Sequence, residues 1–246
     1  MASVKMKADK LNYEGSEAFK ALRTNLQFCG DDKKTIVFTS CAPDEGKSTV
    51  VLHLAVSLAE TGKKVLLIDA DMRKSVLVGH YSIAGDVFGL AHYLSGLCDL
   101  EKAVCQTDIE NMDVIFAGPF PPNPTELLAG EKFKGLLQIA RDTYDYVLID
   151  SAPLGSVIDC AVIAKECDGS VIIVENEVIS HRFLQEIKTQ LEKSGRPILG
   201  VILNKVDIRE QRYYSRYYGK KYGKYYGKYY GYGKYGNQMQ GAEKTE

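Results

Sequence analysis

The chain has 246 residues, 45% of them hydrophobic and 26% charged, which is ordinary globular usage and excludes disorder throughout. The net charge of -1 conceals an asymmetry: 9 of the 31 basic residues but only 3 of the 32 acidic ones fall from Arg209 onward, so an acidic body precedes a basic tail. The six cysteines include no C-x-x-C pair and point to a reduced, cytosolic setting, and no apolar run reaches the ~18–20 residues of a membrane span. Residues 1–14 lack the apolar core of a signal peptide, so membrane association is expected only through a partner.

In chain order, a helix is predicted near 15–28, then a β-branched run at 35–39 (TIVFT) and a helix from Val50 to Glu60. Further apolar runs follow at 65–69 (VLLID), 113–116 (DVIF), 146–150 (YVLID), 170–174 (SVIIV) and 198–203 (ILGVIL). Helical spacing lies between them from Thr125 to Arg141 and from His181 to Lys193. The first of these two helices carries its own start: Asn123 as cap, Pro124 at the first helical position and Glu126 three residues past the cap. Continuous apolar strands separated by helices predict one α/β domain over 33–208, doubly wound around a mostly parallel sheet. A helical segment, 1–32, precedes it. After Arg209 the composition breaks, because 11 of the 16 tyrosines lie between Tyr213 and Tyr235 among Gly and Lys with no aliphatic residue. Such a segment, 209–246, cannot build a core and is expected to be flexible.

The segment Cys41-Ala42-Pro43-Asp44-Glu45-Gly46-Lys47-Ser48-Thr49 follows a strand and opens a helix, as a phosphate-binding loop requires. Backbone amides from Ala42 to Thr49 can cradle phosphates, Lys47 can reach the β- and γ-phosphates, and the Ser48 hydroxyl can ligate Mg²⁺. Cys41 replaces the usual first glycine. Two other predicted strands end in carboxylates, Asp69 and Asp71 in DADMR and Asp150 in DSAP, where open α/β sheets place their ligands. Strand-end aspartates also form turns, but three of them beside a P-loop point to Mg²⁺ chemistry.

Taken together, SEAFKALRTNLQF at 16–28, APDEGKST at 42–49, LLIDADMR at 66–73, AGPFPPNPTELL at 117–128, VLIDSAP at 147–153 and the tyrosine-rich end resemble the bacterial tyrosine kinases. The form resembled is the separate cytoplasmic protein of capsule and exopolysaccharide clusters, a P-loop NTPase related to MinD and ParA. The resemblance implies an ATP- and Mg²⁺-dependent kinase. Lys47 and Ser48 would bind phosphate and Mg²⁺, Asp71 and Asp150 would hold the metal directly or through water, and Asp69 would orient or deprotonate the attacking tyrosine. The acceptors would be Tyr213, Tyr214, Tyr217, Tyr218, Tyr222, Tyr225, Tyr226, Tyr229, Tyr230, Tyr232 and Tyr235, phosphorylated in trans by a neighbouring subunit. Glu17, Lys20 and Arg23 would form the contact of a homo-oligomeric ring such as an octamer, with Lys20 where the family has an arginine. The implied partners are a membrane-spanning polysaccharide co-polymerase that activates the kinase, a protein-tyrosine phosphatase and protein substrates, but no nucleic acid. Ser75 and Ala152 stand where prolines are common in the family.

Other functions remain to be weighed. Alternating basic and aromatic residues in the tail could stack single-stranded nucleic acid. A partition-type switch ATPase would carry a signature lysine five residues before Lys47, where this chain has Ala42. Asn204-Lys-Val-Asp207 matches the NKxD guanine-reading pattern of GTPases, yet Asp150 leads into Ser-Ala-Pro and not into D-x-x-G. Asn204 is therefore read as an adenine contact or as a strand-end turn. Cys160 and Cys167, seven apart on a predicted helix, read as small core residues, and the four histidines show no ligand spacing.

Overall fold

Strands rich in β-branched residues pair side by side when each can be buried on both faces, and three here are buried at every residue: Thr35–Ser40, Val65–Asp69 and Tyr146–Asp150. The computed structural model describes residues 2–6, 11–83 and 87–206. The elements run β1 (Ala2–Met6), α1 (Tyr13–Phe28), β2 (Thr35–Ser40), α2 (Lys47–Ala59), β3 (Val65–Asp69), a 3₁₀ turn (Leu77–His80), β4 (Tyr81–Ile83), α3 (Leu90–Leu94), α4 (Leu100–Ala103), β5 (Cys105–Thr107) and β6 (Met112–Ile115). They continue with α5 (Pro124–Ala129), α6 (Glu131–Thr143), β7 (Tyr146–Asp150), α7 (Asp159–Ala164), β8 (Gly169–Glu175), α8 (His181–Glu192) and β9 (Ile198–Asn204).

The sheet has nine strands in the order β4-β1-β5-β6-β3-β7-β2-β8-β9. From β6 to β9 all pairings are parallel, while β5 joins β6 and β4 joins β1 antiparallel at the other end. Side chains alternate between faces along each strand. Val37, Ile68, Val147, Ile149 and Ile172 accordingly meet Leu128, Phe133, Leu136, Ile163 and Ile187 of α5 to α8. Ile36, Phe38, Leu67, Leu148 and Ile173 meet Leu26 of α1 and Val51, Leu54 and Leu58 of α2. Among the described residues, then, the α/β class with helices on both faces holds.

Several elements differ from expectation. The helix predicted from Thr125 to Arg141 is two helices, because Gly130 is extended (φ -77°, ψ 160°) and both ends α5 and caps α6. Asn123 does precede α5, with Pro124 at its first position, but its side chain makes no capping hydrogen bond. Cys160 lies in α7 and Cys167 beyond its end, and both are buried. The strands β1, β4 and β5 have 5, 3 and 3 residues and no long apolar run, so periodicity did not reveal them. The predicted α1 packs on α2: Arg23 donates to the Ser57 carbonyl and hydroxyl at 2.7 and 3.1 Å, and the Phe19 ring lies 5.3 Å from that of His53.

Close backbone approach places α3 against the end of β6, where the Leu90 amide donates to the Phe116 carbonyl at 2.6 Å. A Cβ on Gly89 would stand 2.5 Å from the Gly118 nitrogen and 2.6 Å from the Phe116 carbonyl oxygen, both of them backbone atoms. Gly89→Ala should therefore destabilise the domain by about 1–3 kcal/mol in urea unfolding; an unchanged midpoint would show that the crossing relaxes freely.

Candidate active site

The parallel register of β3 and β7 sets Asp69 directly opposite Asp150, and that of β2 and β7 sets Phe38 opposite Asp150. Both aspartates thus end neighbouring strands at the carboxyl edge of the sheet, next to the loop that leaves β2. Asp69 and Asp150 are 0% and 1% exposed. Lys47, the first residue of α2 and itself buried, forms an ion pair with Asp150. Its ammonium also lies 3.4 Å from the Ser48 hydroxyl. Asp71, buried too, accepts the Lys74 amide at 3.0 Å, and its own amide donates to Asp69 at 3.2 Å. The Ser75 hydroxyl donates to the other oxygen of Asp69.

Asp69 and Asp150 thus have one buried ammonium between them, with Asp71 two residues on from Asp69. Burial, and next the Asp150 charge, push the Asp69 carboxyl up from 3.8 to about 7, against the pull of Ser75 and Lys47. No group of three His, Cys, Asp or Glu side chains converges to hold a metal unaided among the described residues. Mg²⁺ usually takes one or two carboxylates and completes its shell with phosphate oxygens and water. The surplus negative charge and the Ser48 hydroxyl beside Lys47 fit such an ion.

The phosphate loop is held from inside. Asp44 and Gly46 adopt positive φ angles of 65° and 79°. Between them the Glu45 side chain, 2% exposed, turns inward and accepts the Ala42 amide at 2.6 Å and the Glu175 amide at 2.9 Å. Of this residue and Ala42, therefore, the Glu45 carboxylate and the Ala42 N–H are committed to the loop itself. Asn204, at the end of β9, donates to the Glu45 carbonyl at 2.8 Å, and Lys205 to the Asp44 carbonyl at 2.8 Å and to Glu175 at 2.8 Å. Gly46 suits its positive φ, and a Cβ there would lie 2.3 Å from the Asn204 side-chain amide nitrogen and displace it from the Glu45 carbonyl. Gly155 approaches the loop from the segment after β7, where a Cβ would meet the Cys41 carbonyl oxygen at 2.1 Å. Cys41 is buried, and burial pushes its thiol up to about 12, leaving it unreactive.

Residues 33–197 match the family described as an AAA domain. Tyrosine-protein kinase CpsD of Streptococcus agalactiae is 44% identical over 191 residues, which cover 78% of this chain and 83% of that protein. The solved kinase domain of the Escherichia coli tyrosine kinase ETK is 34% identical, with a TM-score of 0.75 over 79% of this chain and 76% of that one. The chain belongs to the bacterial tyrosine kinases. A more distant likeness, to the septum site-determining protein MinD of Pyrococcus horikoshii complexed with Mg-ADP, has a TM-score of 0.59 at 25% identity and covers 69% of each chain. The kinase fold is thus a variant of the MinD-like P-loop fold. No helix among the described residues is long and apolar enough to cross a membrane.

Of the residues expected at the kinase site, the structure brings together Lys47, Ser48, Asp69, Asp71, Asp150, the loop 42–49 and Asn204. Glu17, Lys20 and Arg23 lie apart on α1, where Lys20 pairs with Glu17 at 2.7 Å and Arg23 turns to Ser57. The tail tyrosines, Tyr213 to Tyr235, lie outside the described residues. Sequence reasoning missed the inward role of Glu45 and a polar tie beside the site. In that tie Arg73 donates to both oxygens of buried Asp159, at 2.7 and 3.2 Å, and to the Thr125 hydroxyl at 3.0 Å. Thr125 in turn donates to Asp159 at 2.6 Å. The available hint was an aspartate opening a short apolar helix just after the DSAP motif.

The raised Asp69 carboxyl makes a signed prediction. Its folded pKa, about 7, exceeds its ordinary 3.8, so its protonated form favours folding below pH ~4. That contribution is lost as pH climbs through 7. Asp69→Asn should therefore raise the stability of the nucleotide-free domain by on the order of 4 kcal/mol above pH 7 and by little near pH 4. Thermal unfolding at pH 4.5 and 8 checks this, and an equal effect at both would deny the shift.

Proposed function

We propose that the protein is an ATP- and Mg²⁺-dependent protein-tyrosine kinase that phosphorylates its own tyrosine cluster, Tyr213 to Tyr235, between subunits. The observation that carries this reading is the convergence of Lys47, Asp69, Asp71 and Asp150, with surplus buried negative charge, at the mouth of a phosphate loop. Phosphoryl transfer needs chiefly positioning and charge neutralisation. When bound, Mg²⁺ would supply neutralisation of the β- and γ-phosphate oxygens, and Ser48, Asp71 and Asp150 are the residues placed to hold it. Lys47, paired with Asp150, would exchange that partner for phosphate. Asp69, with a carboxyl near neutrality, is suited to orient or accept the proton of an attacking tyrosine hydroxyl, as a base tuned close to working pH. Loop amides from Asp44 to Thr49 would cradle the phosphates, with Pro43, which has no N–H, contributing shape alone. Asn204, seated on Gly46, would border the base.

A GTPase reading is disfavoured by that same placement, since the Asn204 amide is already given to the Glu45 carbonyl. The tail's composition supports its role as acceptor: tyrosines spaced by Gly and Lys suit an acidic, nucleotide-loaded cleft. Glu17 and Lys20 on the exposed side of α1 would meet a neighbour in a ring, and Arg23 would hold α1 to α2 beneath them. About four phosphates, at -1.5 to -2 each, would reverse the tail's positive charge and weaken its docking. By its resemblance the kinase would act at the inner face of the membrane, recruited by a polysaccharide co-polymerase, in capsule or exopolysaccharide assembly.

Intact-mass and peptide mass spectrometry after incubation with Mg-ATP and the activator's cytoplasmic peptide tests the reading. Phosphates are expected within Tyr213–Tyr235 and are expected to vanish in Lys47→Met and in Asp150→Ala, with each variant still folded. Deleting residues 210–246 should leave nucleotide affinity within about twofold. Steady hydrolysis of ATP without tyrosine phosphate would instead favour a switch ATPase.

A further inference from the structure

At the amino-terminal edge of the sheet, away from the phosphate loop, a cavity of about 500 Å³ opens between α6 and the segment joining α7 to β8. Its size is that of small-ligand sites. Its floor is formed by Thr35, Leu137 and Cys167, all buried. Thr35 starts β2, and alternation along that strand puts its side chain on the face of Val37, towards α5 to α8 and the cavity. The Thr35 hydroxyl is the one fully buried side-chain polar atom among the described residues that has no hydrogen-bond partner. An orphaned buried hydroxyl is costly, and a ligand that satisfies it is a common reason for its presence.

The walls are charged. Arg141 forms an ion pair with Asp168, whose same oxygen accepts the Lys34 and Thr35 amides at 3.0 and 2.8 Å, so the other Asp168 oxygen is left over. Arg196 donates through Nε to the Lys165 carbonyl at 3.0 Å, and its two terminal nitrogens have no partner among the described residues. Lys134 pairs with Glu131 on the surface at 2.8 Å, a contact weak enough to yield to a better anion. The lining itself sets Lys134, Arg141 and Arg196 against Glu166 and Asp168, with Glu131 at the rim holding Lys134. A guanidinium fork favours phosphate, while Gln138, Glu166, the spare Asp168 oxygen and the Thr35 hydroxyl suit ligand hydroxyls.

We propose that this cavity is a second ligand site, which takes a small phosphorylated sugar. Its phosphate sits against Arg196 and Lys134, and its hydroxyls reach Thr35, Gln138 and Asp168. Strand β2 separates it from the phosphate loop by about 17 Å at ~3.3 Å per residue. The site therefore does not compete with nucleotide and stands whether or not the kinase reading does.

Hydrogen-exchange mass spectrometry of the full chain with glucose 1-phosphate, glucose and inorganic phosphate tests it. Glucose 1-phosphate should slow exchange across 134–141 and 165–169, glucose should not, and inorganic phosphate should need about tenfold more. Arg196→Gln should raise the required concentration about tenfold. Thr35→Val should also weaken binding while leaving the unliganded melting temperature unchanged or higher, because it replaces the orphaned hydroxyl by a methyl. Protection confined to 41–49, equal potency of the sugar phosphate and inorganic phosphate, or a Thr35→Val protein that melts lower and binds as well as wild type would each overturn the proposal.

Discussion

One buried ammonium set against two buried carboxylates, Asp69 and Asp150, is the interaction on which the rest of this structure depends. In-register pairing of β3 with β7 brings Asp69 and Asp150 to neighbouring strands, about 4.8 Å apart at the backbone, where both cannot comfortably be charged. Lys47 relieves Asp150, and the cost falls on Asp69, whose carboxyl rises towards neutrality. Such a pocket is held together by surroundings that give the side chains no alternative, here three wholly buried strands and an α2 whose residues from Val50 on are mostly apolar and buried. Burial that disfavours the empty site is the same burial that strengthens its hold on a cation and on phosphate.

A phosphate loop must present its amides without collapsing onto itself. In this chain the loop's own glutamate prevents collapse. Glu45 bridges Ala42 at the loop's beginning and Glu175 at the end of β8, and Asn204 and Lys205 at the end of β9 grip the Glu45 and Asp44 carbonyls. Four contacts thus fix a segment with two positive φ angles, which is the kind of local cost that surrounding structure has to over-determine. The loop is preorganised by two strands that themselves carry no acidic motif. Asn204 and Lys205, which read as part of a guanine signature, act on the loop through main-chain oxygens.

The chemistry was more legible in the sequence than the connections between its parts. Strands such as VLLID and YVLID declare themselves, because a run buried on both faces must be continuously apolar, and an aspartate at its end stands out. Glu45 did not declare its role: inside a P-loop an acidic residue reads as exposed, and only the three-dimensional return of β8 shows an amide waiting for it. Gly130 was equally hidden, since apolar spacing from Thr125 to Arg141 continues across it and only the extended backbone there breaks the helix. The strands β1, β4 and β5, at one end of the sheet, lack a continuous apolar run, and β4 and β5 are too short for a period of two to register. Arg23 read as an outward residue at helical spacing from Glu17 and Lys20, yet three-residue steps drift around a helix, and the last of the three reaches Ser57 on α2.

The tie between Arg73, Asp159 and Thr125 explains why three separated motifs behave as one. Arg73 closes the Asp-x-Asp turn after β3, Thr125 opens α5 just after the proline-rich stretch, and Asp159 opens α7 after the segment that follows Asp150. Asp159 is almost completely buried and is met by a bidentate guanidinium, an arrangement in which removing either partner leaves an uncompensated group. A displacement of the proline-rich segment would therefore be felt at Arg73, and through the turn at Asp71, whose carboxylate accepts the Arg73 and Lys74 amides. Lysine at position 73 would keep the charge and lose the fork, and so would sever the geometric link while leaving the electrostatic one. That distinction separates a residue that merely balances Asp159 from one that holds the Asp71 turn in place.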